Sequence, residues 1–241
     1  MRFVLRSDDE RREPHSRPAS PQAVGALDRI TGLAHRVGGD LVHVAWGAVT
    51  ELGAIGPASR RGRRFGAFGP HSVICFPPAS IFNERYMRIG ANTMIGPYVT
   101  LSVGMVPGQV MPIDPVLSIG DRCLIGRGSG IVAHFSIDIA DDVWTGQYVY
   151  VTDQNHDYRD IDRPISQQSQ PERAVVIGPG SWLGHGTIVL PGARIGRHVA
   201  VAAGSIVNSE LPDYCVAAGS PARAIRRWDG RDWPRTSDIE G

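Results

Sequence analysis

Imidazole titrates near neutral pH and can accept a proton without help from a metal, so the histidines come first among the residues that could do chemistry. There are eight in 241 residues. His156 ends the stretch Asp138 to His156 (DIADDVWTGQYVYVTDQNH), where a regular six-residue rhythm gives way to a long polar run. A histidine at that rim faces outward, as a general base must. His134 falls, after a two-residue slip in the rhythm, one coil beneath the corner Gln154 to His156. His134, His156 and His185 are 22 and 29 residues apart, without the close H-x4-H pair that a three-histidine zinc site needs, so no metal is expected. The three cysteines (Cys75, Cys123, Cys215) are an odd, widely spaced set with no C-x-x-C pair. They point to buried thiols in a reducing compartment rather than to a disulfide frame or zinc knuckle. Every one of the 25 basic residues is arginine, which excludes a lysine nucleophile or Schiff base.

Such groups need a rigid frame, and the glycine pattern supplies one. Glycine makes up 29 of 241 residues, well above its usual share of about 7 %. Beyond residue 70 it follows an aliphatic residue at six-residue steps: Ile89-Gly90 and Ile95-Gly96, Ile119-Gly120 and Ile125-Gly126, Ile177-Gly178 and Leu183-Gly184. A hexad sustained over such a length is a solenoid signature. Three hexads make an 18-residue coil, which predicts Ile177 under Ile195, Leu183 under Val201 and Val189 under Val207. One aliphatic residue per hexad points inward, and the small residue beside it permits a tight corner. Ser102 to Ser118 and Asp157 to Ala174 break the count and are expected to loop out, where solenoids usually carry function.

The remainder reads as flanking structure. Residues 1–20 are charged and contain Pro and Ser, and read as a disordered tail. Residues 21–70 read as a helical segment and basic connector. Apolar residues from Val24 to Ala45 recur at helical steps, with Gly38-Gly39 leaving a helix–turn–helix open. Arg60, Arg61, Arg63 and Arg64 follow, read either as a solvated linker or as a site for phosphate or anionic lipid. Residues 71–228 form the solenoid and 229–241 a C-terminal tail. The net charge of +1 argues against a nucleic-acid partner. Leu41 to Ile55 is interrupted by His43 and Glu51 and too short to span a bilayer. Residues 8–13 are charged where a signal peptide would be apolar, so a cytoplasmic protein is expected.

The hexads closing in IGPGSWLGHGTIVLPGARIGRHVAVAAGSIVNSELPDYCVAAGSPARAIRR resemble those of the left-handed parallel β-helix acyltransferases. The likeness is to the maltose, galactoside and nodulation-factor O-acetyltransferases and to the enzymes that acetylate cell-surface polysaccharides. It covers roughly residues 71–228, most specifically 138–227. It implies a mainly β left-handed parallel β-helix with an N-terminal helical segment, assembled as a homotrimer with each active site between two subunits. It also implies acetyl-CoA, or another acyl-CoA, as co-substrate and a hydroxylated, saccharide acceptor. His156 matches the family's general base; Asn155 and Trp182 match the acceptor side, where His134 occupies the place at which relatives often carry an acidic residue contacting the sugar. Trp182, Gly184, His185, Ala203, Gly204, Asn208, Arg223 and Arg226 match the cofactor side. Two further departures bear on the acceptor and cofactor. Gly126 stands where relatives carry an Asn, and Asn208-Ser209 stands where they carry Thr-Lys. Trp144 reads as a packing residue two coils before Trp182. A non-catalytic scaffolding solenoid, or an N-acyltransferase acting on an amino sugar, remains the alternative; a γ-type carbonic anhydrase lacks its histidine spacing.

Overall fold

The computed structural model describes residues 21–238. The tail at 1–20 and the last three residues lie outside the described residues. The chain divides into two compact units after Gly47. One helix runs over Pro21–Gly53, 33 residues, without a break at Gly38-Gly39, so the helix–turn–helix does not form. Each glycine costs a helix only about 1 kcal/mol relative to alanine, which a long helix absorbs. Pro21 suits the first turn, where its missing N–H has no helical partner to lose.

The second unit is a left-handed parallel β-helix built on three sheets of seven, eight and six strands. Strands are two to four residues long in the regular coils because each turn must also supply three corners. The first ladder strand is Ala67–Phe68, paired with Arg88 and Ile89, so the solenoid starts inside the stretch read as connector. The predicted stacks are present: Ile177 pairs with Ile195, Leu183 with Val201 and Val189 with Val207. The two-residue slip is present too, with Ile119 opposite Ile139 and Ile131 opposite Val151. One aliphatic column fills each inner face, and Ile95, Ile125, Ile139, Ile177, Leu183 and Ile195 are all essentially inaccessible. Burying each stabilises the fold by roughly 1.5–3 kcal/mol.

Both insertions leave the coil, with both ends of the first corrected. The strand Thr100–Val103 keeps Ser102 in the ladder opposite Val132, and the next begins at Leu117. Backbone pairing to the coil above holds these residues despite the break in hexad rhythm. Trp144 also needs correcting. It pairs directly with Trp182, one coil away, and is 56 % exposed, so it is not a packing residue. The insertion 157–174 adds residues without adding a coil, which inflates the count. Cys123 and Cys215 are buried as expected, whereas Cys75 is only half-buried. Burial pushes all three thiols up, Cys215 to about 11. The last strand, Ala222–Arg227, runs antiparallel to Cys215–Gly219. Residues beyond it fold back: the Trp228 N–H donates to the Tyr214 carbonyl and the Thr236 hydroxyl to the Ala224 carbonyl, both at 2.9 Å.

Candidate active site

Strand Tyr150–Thr152 lies beside Gly130–Ala133 in the third sheet, with Thr152 opposite Val132. Both strands end at the edge where the third sheet turns into the first, and the register carries His134 and Gln154 to successive levels of that edge. Asp153 fixes them there. Its fully buried carboxylate accepts the backbone N–H groups of His134 and Phe135 at 2.8 Å and of Ser136 at 2.7 Å. Three donors on one charged acceptor make a strong clamp. The Asp153 carbonyl accepts the Arg173 N–H at 2.8 Å, and the Asn155 N–H donates to the Pro171 carbonyl at 3.1 Å. Both ends of the second insertion are therefore tied to the same corner.

His134, Asn155 and His156 line one cavity of about 490 Å³, together with Tyr150, Thr152 and Gln154. Its other walls come from Phe82, Ser102, Gly104 and Met105, and from Leu190 and Pro191 one coil on. His156 is exposed, and its backbone N–H donates to the Asn155 side-chain oxygen at 2.9 Å. His134 is 8 % exposed. Burial draws its imidazole below the usual histidine range, against the opposing pull of Asp153 and Glu172; the neighbouring His156 lowers it further. The pair thus offers one accessible imidazole and one buried imidazole biased toward its neutral form.

The remaining predicted residues lie elsewhere on the prism. Trp182 projects from the second sheet, half exposed, outside the histidine cavity. Gly184 and His185 form the next edge, between the second and third sheets, and Ala203 and Gly204 lie one coil further along it; the Gly204 N–H donates to the His185 carbonyl at 2.8 Å. The His185 ring meets Tyr148 edge-on at 5.6 Å. Backbone is bare at two of its corner positions. Gly186 and Gly204 have positive φ, and a Cβ at either would meet nothing within 4 Å. Asn208 is on the histidine edge, two coils beyond His156, and Arg223 reaches its neighbour Ser209 at 3.5 Å. Arg226 donates to the Trp233 carbonyl at 2.9 Å and lines a separate cavity with Arg235. Sequence reasoning missed Asp153, although it sits in the quoted DQNH segment. It also missed the Phe82–Met105 wall, which only the ladder register brings close. Among the described residues, no three His, Cys, Asp or Glu side chains are grouped to hold a metal ion.

Two stretches match family models: residues 174–209 match the bacterial transferase hexapeptide (six repeats), and residues 116–152 the hexapeptide repeat of succinyl-transferase. The chain is 34 % identical over 110 residues to a Mycobacterium tuberculosis protein, covering 46 % of this chain and 37 % of that one. It is 34 % identical over 113 residues to the galactoside O-acetyltransferase of Lactococcus lactis, covering 44 % and 54 %. To the galactoside O-acetyltransferase of Escherichia coli it is 28 % identical over 154 residues, covering 64 % and 70 %. The chain thus spans about a third to a half of the first two relatives. Among solved structures, it superposes on AntD, an N-acyltransferase from Bacillus cereus in complex with dTDP and 3-hydroxybutyryl-CoA. The TM-score is 0.58 at 22 % identity, covering 75 % of this chain and 88 % of that one, a likeness of fold.

Proposed function

We propose that this hexapeptide-repeat protein, a relative of the sugar O-acetyltransferases, is an acyl-CoA-dependent O-acyltransferase acting on a saccharide hydroxyl through residues 71–228. The observation that carries the reading is the cavity at one coil edge, which holds exposed His156 beside Asn155 and the buried His134. In the proposed step His156 takes the proton of the acceptor hydroxyl as its oxygen attacks the thioester carbonyl. The tetrahedral intermediate then collapses, the C–S bond breaks, and the departing CoA thiolate takes that proton back from the imidazolium. His134 and Asn155 orient the acceptor. Coenzyme A supplies the activated acyl group.

The bare edge formed by Gly184, His185, Ala203 and Gly204 suits a thin pantetheine arm, whose amides can bond to exposed backbone. Asn208, Arg223 and Arg226 serve the nucleotide end, guanidinium being suited to phosphate. In one chain the pantetheine edge and the His156 edge are different edges of the prism, separated by the third sheet. This supports a homotrimer in which a neighbour's Trp182 and pantetheine edge face His156. No helix among the described residues is long and apolar enough to cross a membrane. A cytoplasmic setting belongs to the same reading and agrees with the three free cysteines.

The test is release of free thiol from acetyl-CoA across a panel of hydroxylated and amino sugars. Transfer to hydroxyls is expected, with thermal protection by acetyl-CoA in EDTA-treated protein. Absence of both transfer and protection with any acyl-CoA would overturn the reading in favour of a non-catalytic solenoid, and transfer confined to amines would convert it to an N-acyltransferase.

A further inference from the structure

The basic cluster after the helix has no part in that reaction, yet it is not a loose linker. Gly62–Arg64 form a single 3-10 turn packed on the first coils. Glu84, 3 % exposed, is ion-paired with Arg61 Nε and Arg64 Nη2, each 3.5 Å from its carboxylate, with Glu84 Oε1 and Arg61 Nε left without a hydrogen bond among the described residues. Arg61 also donates to the Ile81 carbonyl at 3.1 Å and is largely committed to the fold. Arg64 keeps 66 % of its side chain exposed. Arg85 is exposed as well, its guanidinium 4.8 Å over the Tyr86 ring. These three arginines line a cavity of about 430 Å³. Glu84 is the one carboxylate at its wall, and it is engaged by Arg61 and Arg64, so positive charge is left over. Guanidinium edges carry paired donors that match phosphoryl oxygens.

This cavity adjoins the one that holds the histidines. Phe82 lines both. The start of the first insertion is their common wall: Gly104 and Met105 face the histidines, and Pro107 and Gly108 face the arginines. Asn83 pins that wall with three hydrogen bonds. Its Nδ2 donates to the carbonyls of Val103 at 2.6 Å and Val106 at 2.9 Å, and its Oδ1 accepts the Gly108 N–H at 2.7 Å. The partition is therefore built from the turn that also supplies Glu84 and Arg85.

We propose that the acceptor is a phosphorylated saccharide, its phosphate held in the cavity of Arg61, Arg64 and Arg85 and its sugar ring beside His134 and His156. The inference rests on the acyl-transfer reading for the second cavity, whereas the anion site stands on its own geometry. A sugar 1-phosphate and a nucleoside diphosphate sugar share the required chemistry, and the test separates them.

Binding of pyrophosphate is measured by calorimetry with CoA saturating, so that the cofactor's own phosphate contacts are occupied. Wild-type protein is expected to bind it, and Arg64→Gln and Arg85→Gln each to weaken it by about tenfold, as loss of a charge-assisted contact does. Arg85→Gln leaves both Glu84 ion pairs in place, so it remains readable if Arg64→Gln fails to fold. No binding, or equal binding in wild type and Arg85→Gln, overturns the site. Thiol release is then followed with galactose, galactose 1-phosphate and UDP-galactose as probes. A phosphorylated probe is expected to exceed galactose about tenfold in kcat/KM, with the advantage lost in Arg85→Gln and the KM for acetyl-CoA unchanged. Preference for the free sugar overturns the acceptor class while leaving acyl transfer intact. Arginine-dependent pyrophosphate binding with no transfer to any acceptor supports the anion site and instead sinks the acyl-transfer reading.

Discussion

Two edges of one prism share a backbone and differ in almost everything else. At the last two corners of the edge between the second and third sheets, Gly184-His185-Gly186 and Ala202-Ala203-Gly204, His185 is the one large side chain and there is no insertion. Along the edge between the third and first sheets, two insertions leave the coil, a carboxylate is buried and a cavity opens. The first edge is held by close packing: a Cβ on Gly184 would lie 2.5 Å from the Ala203 nitrogen. The second is held by Asp153 and its three amide donors. A solenoid can therefore present a smooth binding rail on one edge and a walled reaction site on the next, using packing for one and buried charge for the other.

Substitutions that strike one device without the other test this contrast. The largest effect is expected from His156→Ala, which should lower kcat by roughly 10²–10⁴. Because His156 is exposed, its unfolding free energy in urea should move by no more than about 0.5 kcal/mol; near-wild-type turnover would remove its role as base. Asp153→Ala strands the buried His134 N–H and two part-buried N–H groups and is expected to cost about 2–3 kcal/mol. It should depress activity too, and a urea midpoint like wild type would show that the clamp is not what holds the edge. On the smooth edge, Gly184→Ala forces a methyl against backbone and should cost about 1–3 kcal/mol. Gly186→Ala meets no atoms but sits at φ +68°, so it should cost only about 1 kcal/mol through the backbone. Equal losses at the two glycines would undo the packing argument. The smallest effect concerns pH. The His134 imidazole is held below its unfolded range, so between the folded and unfolded values the unfolded chain binds more protons and stability rises with pH. Thermal stability should fall on acidification below about pH 6.5, and His134→Gln should flatten that slope.

The inward columns were legible because the hexad is the fold's own period. Ile177, Leu183 and Val189 each meet the partner that an 18-residue spacing assigns. The level of Trp144 was not, since an insertion hides how many coils separate it from Trp182. The corner holding His134 and His156 was legible from the rhythm and its slip. The far wall was not: Phe82 and Met105 reach the histidines only through the pairing of Ser80–Phe82 with Thr100–Ser102 and of Ser102 with Val132. Asp153 follows two buried residues, so inward–outward alternation gives no hint that its carboxylate turns in. The rhythm does assign His156 and His185 to different edges, because one follows a third-sheet strand and the other a second-sheet strand.

A ladder of parallel strands has no intrinsic end, since each coil offers the same unpaired amides to whatever comes next. Here the eighth strand of the second sheet reverses direction and is itself covered. The Arg227 N–H donates to the Pro234 carbonyl at 3.3 Å, and Arg226 bridges to Arg235. The reversal denies a second copy the template for adding coils tip to tip, and the covering segment leaves arginines at the outermost row. On this side of the stack, the reversed strand and the segment over it act as a stopper against fibre growth.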